Sequence, residues 1–389
     1  MIIAIDGNEA NVKNRVGVNQ FAFEILWAIY QNYCRCPISN FKKFLIFFKE
    51  KPFSDLPPET KWWRYEVFGP KQFWTWTGLV KRLFLRKPKP DILFTPSHYG
   101  PAFSPIPFVI SIMDLGFLRW PQQFTKKDFY QLKFWTKWSV KKATKIIAIS
   151  KFTKKDLIKT YKINPQKVVV AYPGWKKIKS QKFKDKNYQS KLKFIKNKYQ
   201  IKGDYILCLG TLKPSKNIEG LIDAYSILVS RNKILDSKLV IAGKKGWLYK
   251  DIFRKVKKSN LERNVIFTGF VPDEEVPILL KGAKVFVLPS FWEGAGIPAL
   301  EAMAAGVPVV CSNQGALPEI ANNAAVMINP YSPKNIAQGI KKALNNKDLR
   351  RKLIKMGKKR AKMFSWNKCS KIILETLINE IDRLQYENR

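Results

Sequence analysis

A chain of 389 residues, 46% of them hydrophobic, is long enough for two or three domains with ample core and fits a soluble globular protein. No apolar run reaches the roughly 18 residues needed to span a bilayer; the best, Phe108–Leu118, is interrupted by Asp114. Basic residues number 71 against 29 acidic, a net charge of +42 that leans to the N-terminal half, and a field of that sign attracts anionic lipid, polyphosphate or nucleic acid.

The opening, MIIAIDGNEA, lacks a basic region and runs straight into a strand, so it does not read as a signal peptide. The five cysteines lack metal spacing, with Cys34 and Cys36 one residue apart and the rest isolated. That pattern predicts reduced thiols and a cytoplasmic protein. Ile2–Ile5 predicts a strand, Asp6–Gly17 a polar loop and Phe21–Tyr30 a helix, the opening of a doubly wound α/β domain. G-x-G-x-x-G is absent from this loop, which counts against a nicotinamide enzyme.

Phe41–Arg86 is dense in aromatics and lysines, among them Trp62, Trp63, Trp74 and Trp76. Within it Gln72–Arg86 reads either as a basic amphipathic helix on a membrane surface or as an ordinary helix packing its Trp and Leu face inward. Interleaved aromatics and lysines also suit single-stranded nucleic acid, but no RNP-like motif accompanies them, and nucleic acid is not the expected partner. Asp91–Thr95 and Phe108–Met113 predict strands whose ends carry polar residues, where a parallel sheet places its ligands. His98, the sole histidine, follows the first of them.

Helices are predicted at Asp128–Lys142 and Lys154–Lys162, with strands at Ile146–Ile149 and Val168–Ala171. Trp175–Ile201, lysine-rich and apolar-poor, reads as a linker. A second α/β series begins at Tyr205, with strands at Ile206–Leu209, Lys238–Ile241, Val265–Phe267 and Lys284–Leu288. Residues 1–200 and 201–365 are therefore expected to be separate domains, and a helix is expected at Trp366–Leu384.

The most informative stretch is Val285–Cys311, VFVLPSFWEGAGIPALEAMAAGVPVVC. Two β-branched runs flank a loop and a short helix that opens near Pro298 and stops at Gly306 before Pro308. Gly294 and Gly296 sit at that helix's N-terminus, where free backbone N–H groups suit a phosphate or another anion. Glu293 and Glu301 flank it, with no other charge between Phe291 and Gln314. Carboxylates in so apolar a unit call for a partner or a ligand.

EGAGIPALE at Glu293–Glu301, followed by AMAAGVPVV, resembles the signature of retaining glycosyltransferases of family 4, which have the GT-B fold. GTLKPSKN (Gly210–Asn217), VIAGKKGW (Val240–Trp247), FTGFVPDEEVPILLKGAKVFVLPS (Phe267–Ser290), MDLGFLRWPQQF (Met113–Phe124) and IIAISKFTKKDL (Ile146–Leu157) agree in order. The resemblance comes nearest to bacterial mannosyltransferase-like members that build surface polysaccharides. It implies two Rossmann-like domains facing across a cleft, with the last helix, residues 366–389, crossing back to the first. It implies a hexose, such as mannose, moved from a GDP- or UDP-linked donor to a glycan or lipid-linked acceptor, with retention. No prosthetic group is implied. Peripheral placement on the inner face of a membrane follows from such an acceptor.

By family position, Lys216 is the phosphate-binding lysine, Glu293 binds the transferred sugar and Glu301 accepts hydrogen bonds from the ribose. Gly294, Ala295, Gly296 and Ile297 offer backbone N–H groups, and Gly210 and Thr211 line the donor. Gly269, Phe270 and Val271 lie near the base, and Gly17 and Val18 close toward the donor phosphates. Asp114 is carried over as a catalytic group, with Met113 and His98 on the acceptor side. Family members usually place His-Asp where this chain has Met113–Asp114, and an arginine where it has Ser215; other branches carry arginine at Thr211. No Asp-x-Asp, HExxH or His/Cys cluster is present to hold a metal, so no metal requirement is expected. The alternative is a catalytically weak relative that binds polyanions or partners through its basic surface.

Overall fold

The computed structural model describes residues 1–35, 43–176, 187–231 and 237–387. The chain divides into two units: residues 1–119, 125–174 and 365–389 make the first, and residues 120–124 and 175–364 the second.

Among the described residues of the first unit, β1 (Ile2–Asp6), β2 (Lys43–Phe48), β3 (Trp63–Val67), β4 (Ile92–Thr95), β5 (Phe108–Ile112), β6 (Lys145–Ala148) and β7 (Val168–Val170) form one sheet. Its order is β3-β2-β1-β4-β5-β6-β7, parallel throughout. The central strands are buried along their whole length, which is why they read as continuous apolar runs. The Trp366–Glu387 helix packs on the Val18–Arg35 helix, where the rings of Phe21 and Trp366 meet at 5.8 Å. Asn32 Nδ2 donates to the Asn367 carbonyl at 3.1 Å and to Ser370 Oγ at 2.7 Å.

The aromatic stretch holds two strands that periodicity does not reveal. Trp63 is fully buried at the start of β3, and Trp62 and Trp63 pack against Tyr30 and Phe44. Phe44, Phe47, Phe48, Trp63 and Trp74 of that stretch are core, while Phe53, Phe73, Trp76 and Phe84 are exposed. Over Gln72–Arg86 only Gly78–Leu85 is helical. Trp74 lies in the turn before it, buried, and donates from Nε1 to the Phe68 carbonyl at 2.7 Å. The expected single helix is thus shortened, because Trp74 is anchored inward by a turn.

In the second unit β8 (Tyr205–Leu209), β9 (Lys238–Ala242), β10 (Val265–Gly269), β11 (Val285–Leu288), β12 (Val309–Ser312) and β13 (Ala325–Ile328) form a parallel sheet of order β10-β9-β8-β11-β12-β13 among the described residues. The stretch expected to be a linker contributes a helix here, Tyr188–Lys198. Ile195 is its buried side chain, and Lys198 Nζ and Tyr199 Oη bond the Glu275 carboxylate at 2.6 Å each. One buried apolar residue among lysines leaves little periodic signal. Residues 177–186 of that stretch lie outside the described residues.

Both sheets reverse direction of winding once, between β1 and β4 and between β8 and β11. At such a switch point the loops leaving the carboxyl ends diverge and leave a crevice for ligand.

Candidate functional site

The loops after β8 and β11 meet at the second unit's switch point. The first reaches a tight 3-10 turn, Pro214–Lys216, and Asn217 follows in the left-handed region at φ 52°. The Asn217 amide is buried and donates to the carbonyls of Pro289 (3.1 Å) and Pro330 (2.6 Å). The Phe291 N–H donates to the Ser215 carbonyl at 2.9 Å. Three loops are clamped together by these bonds, and the clamp aims Lys216 inward.

Lys216 Nζ meets Glu293 Oε1 at 2.5 Å, with the two side chains only 17% and 10% exposed. The same oxygen accepts from Ser290 Oγ at 2.9 Å. Gly315 packs against the Glu293 backbone: at φ +65° its missing Cβ would lie 2.7 Å from the Glu293 carbonyl oxygen, so only glycine fits both the conformation and the space. The Ala316 N–H donates to that carbonyl at 2.9 Å. Beneath the pair, burial pushes the Cys208 thiol up to about 12, with Lys216 acting the other way. Cys208 therefore stays a neutral thiol.

The helix that follows, Ile297–Ala305, opens at Gly296 (φ +61°) without a side-chain cap and closes at Gly306, also left-handed. Pro298 lies in its first turn and lacks an N–H. Among the described residues no hydrogen bond is donated by the N–H groups of Gly294, Ala295, Gly296 or Ile297. Glu301 is half-buried one turn in. Gly210 and Thr211 follow β8, and Gly269, Phe270 and Val271 close β10, at the same carboxyl edge. The Gly243 N–H ties β9 to the Gly269 carbonyl at 2.9 Å. Phe270 is exposed and Val271 buried.

The first unit gathers its own polar groups at the carboxyl ends of β1, β4 and β5. His98 Nε2 accepts from the Met113 N–H at 3.3 Å, and the Met113 carbonyl accepts from Thr153 Oγ1 at 3.1 Å. Asp114 Oδ1 accepts from the Gly116 N–H at 2.7 Å. Burial holds the His98 imidazole below its ordinary range, opposed by the Asp114 charge. Since Nε2 accepts, the neutral ring carries its proton on Nδ1, which is buried without a partner among the described residues. Gly17 and Val18 begin the Val18–Arg35 helix.

Two carboxyls here escaped the sequence reading. Asp6, the last residue of β1, is pushed up to about 6 by burial, against the lowering effect of hydrogen bonds from Asn8 and of Lys49. Glu9 is pushed up to about 7 by burial and by the Asp6 charge, and Asn19 Nδ2 donates to it at 2.6 Å. Tyr99 beside them is pushed up to about 12, chiefly by burial. An aspartate ending the wholly apolar run IIAID was the available signal. Ser290, three residues before Glu293, offered a weaker one.

Comparison with known proteins speaks to the family and the fold. The family model described as Glycosyl transferases group 1 matches residues 190–360, and that described as Glycosyltransferase Family 4 matches residues 50–175. O-antigen chain mannosyltransferase B of Escherichia coli is 33% identical over 233 residues. The match covers 60% of this chain and 60% of that relative, so this chain spans less than two thirds of its length. Sucrose-phosphate synthase from Thermosynechococcus elongatus superposes with a TM-score of 0.71 at 16% identity, covering 100% of both chains. HepE of Anabaena, solved in complex with UDP and glucose, gives a TM-score of 0.71 at 17% identity, covering 97% of this chain and 99% of that one. At these identities the superpositions speak to fold alone, and the fold is GT-B.

Proposed function

From the premise that this chain belongs to the family 4 glycosyltransferases, we propose that it moves a hexose, mannose foremost, from a nucleoside-diphosphate sugar to a glycan or lipid-linked acceptor. Retention of configuration and independence of a metal ion are part of the proposal. The observation that carries it is the Lys216–Glu293 pair, held at the β8/β11 switch point beside the unbonded N–H groups of Gly294–Ile297.

Breaking the sugar–diphosphate bond piles negative charge on the leaving phosphates, and fixed donors aimed at that charge lower the barrier. An ammonium has three N–H groups. One of Lys216's is engaged by Glu293, and the others serve the phosphates together with the helix N-terminus. Glu293, fixed by Ser290 and Lys216, takes hydroxyls of the transferred sugar. Glu301 takes the ribose, and Gly269–Val271 border the base. Asp114 acts as a catalytic group, Met113 and His98 serve the acceptor side, and Gly17 and Val18 close toward the donor phosphates and the acceptor. Mannose is favoured by the mannosyltransferase relative and UDP by the HepE complex, so GDP and UDP donors are tested together.

The experiment is thermal unfolding with GDP, UDP, ADP and their sugar conjugates, at low and high salt, with and without EDTA. A ligand selective for the folded state adds about 2.7 kcal/mol at roughly 100 times its dissociation constant. Stabilisation by one nucleotide family, resistant to salt and EDTA and lost in Glu301→Ala, is the expected result. Equal stabilisation by every polyanion, erased by salt, overturns it in favour of a basic-surface binding protein. A lipid-linked acceptor further places the protein at the cytoplasmic face of a membrane; no helix among the described residues is long and apolar enough to cross one.

A further inference from the structure

We propose that the Lys126–Lys142 helix is a docking surface for an anionic lipid bilayer. This deepens the membrane part of the reading above, but it stands on features of the first unit, whereas the Lys216–Glu293 pair belongs to the second. The helix buries Thr136, Ser139 and Val140. Its opposite face exposes Tyr130 (51%), Phe134 (63%) and Trp138 (36%) at a spacing of four, a continuous aromatic stripe. The rings of Tyr130 and Phe134 stack at 6.0 Å, 15° from parallel, and Trp138 meets exposed Phe103 at 6.3 Å. Trp138 Nε1 donates to the Ala102 carbonyl at 3.1 Å, which fixes the end of the stripe. Phe103, Trp138 and Lys142 also line a cavity of about 600 Å³ that Ile381 and Leu384 extend with apolar surface.

Lysines 126, 127, 133, 137, 141 and 142 lie among these rings, all exposed. Among the described residues none of the six enters a salt bridge, and the helix's single acid, Asp128, is engaged by its Thr125 cap. The Lys142 ammonium lies 5.2 Å over the Trp138 ring, a cation–π pairing at the end of the stripe. The contrast with Gly78–Leu85, where the sequence suggested membrane contact, decides between the two. That helix also exposes Phe84 and Leu85, but Arg82 and Arg86 both pair with Glu66, at 2.8 and 3.1 Å, and Phe84 is its single aromatic residue. Unneutralised lysines around an aromatic stripe match a surface that is apolar within and anionic at its headgroups. Single-stranded nucleic acid fits less well: its readers offer ring faces to bases within a groove, whereas Tyr130 and Phe134 turn faces to each other on the outside of a helix.

The test is co-sedimentation of the full chain with vesicles of phosphatidylcholine alone or with added phosphatidylglycerol. Tyr130→Ser/Phe134→Ser, Lys133→Glu/Lys137→Glu and Phe84→Ser/Leu85→Ser are compared, and circular dichroism confirms folding. The wild-type protein is expected to bind the anionic vesicles and not the neutral ones. The aromatic and lysine pairs are each expected to weaken binding about 10-fold or more, and the Phe84/Leu85 pair to leave it unchanged. Three results overturn the proposal: no binding of wild type, loss confined to the Phe84/Leu85 variant, or loss in the lysine pair alone with RNA competing fully. Nucleotide stabilisation is read on the same samples. Lipid binding without nucleotide stabilisation sinks the transferase reading alone, and the converse sinks the docking surface alone.

Discussion

Lys216 Nζ and Glu293 Oε1 lie 2.5 Å apart although 77 residues separate them in the chain. With so little solvent around it, the pair is costly to break on one side only, because the survivor is left as an uncompensated charge. Lys216→Met is therefore expected to lower both stability, by about 1–3 kcal/mol, and turnover, by about 100-fold or more. The double variant Lys216→Met/Glu293→Gln removes both charges and is expected to recover most of the stability and none of the turnover. Thermal melts and initial rates on the same preparations check this. Turnover that returns with stability would show the pair to be a structural brace.

His98 meets Met113 through the backbone N–H, not the side chain. The side chain at position 113 can thus change without breaking that bond. Met113→His is expected to leave nucleotide stabilisation unchanged while altering turnover, since the new imidazole adds a donor near Asp114. Titration of the melting temperature against nucleotide gives the first quantity and acceptor-dependent rates the second. Loss of nucleotide stabilisation would mean that the pocket at position 113 is built around methionine rather than lacking a histidine.

Asp6 and Glu9 make stability depend on pH in a definite sense. Their ordinary values are 3.8 and 4.5, and burial raises them to about 6 and about 7. Between those limits the native chain holds more protons than the unfolded one, so their contribution is full below pH 4 and is lost as pH rises to 7. The loss is up to about 3 kcal/mol for each group. Asp6→Asn keeps the Oδ1 acceptor for Asn8 and cannot ionise. It is expected to match wild type near pH 4 and to exceed it at pH 8 in melting temperature. A wild type that gains on the variant between pH 5 and 8 would reverse the assignment.

The strands at the centre of each sheet were legible because both their faces are buried, leaving unbroken apolar runs such as Ile2–Ile5 and Val285–Leu288. β3 was not: as an edge strand it carries Arg64 and Glu66 between Trp63 and Val67, and its tryptophans resemble a surface. The motif residues Lys216, Glu293 and Glu301 were nameable, and two of them turn out to touch. The support from Asn217 was not legible, because it acts through a bond to Pro289 that exists only once β8 and β11 lie side by side, whereas Ser290 lies three residues from Glu293 and gave only a weak local signal. The buried pair Asp6 and Glu9 was hidden for a different reason. A carboxylate's burial is a property of neighbours distant in sequence, and the loop around them is polar.

Gly315 offers a test of positioning that touches no charged group. Alanine there meets two penalties, the left-handed backbone at φ +65° and a Cβ only 2.7 Å from the Glu293 carbonyl oxygen. Gly269 has nearly the same backbone, φ +69°, with no atom within 4 Å of the added carbon, so Gly269→Ala measures the backbone penalty alone, about 1–2 kcal/mol. Gly315→Ala is expected to cost more than that, because Ala316 and Glu293 must separate or shift together. A shift of even a fraction of an ångström moves the Glu293 carboxylate away from Lys216. The expected signature is a fall in kcat with KM for donor little changed, since ribose and base contacts lie elsewhere. Equal stability losses for the two alanines, with kcat intact, would mean that Gly315 follows the loop and does not position Glu293.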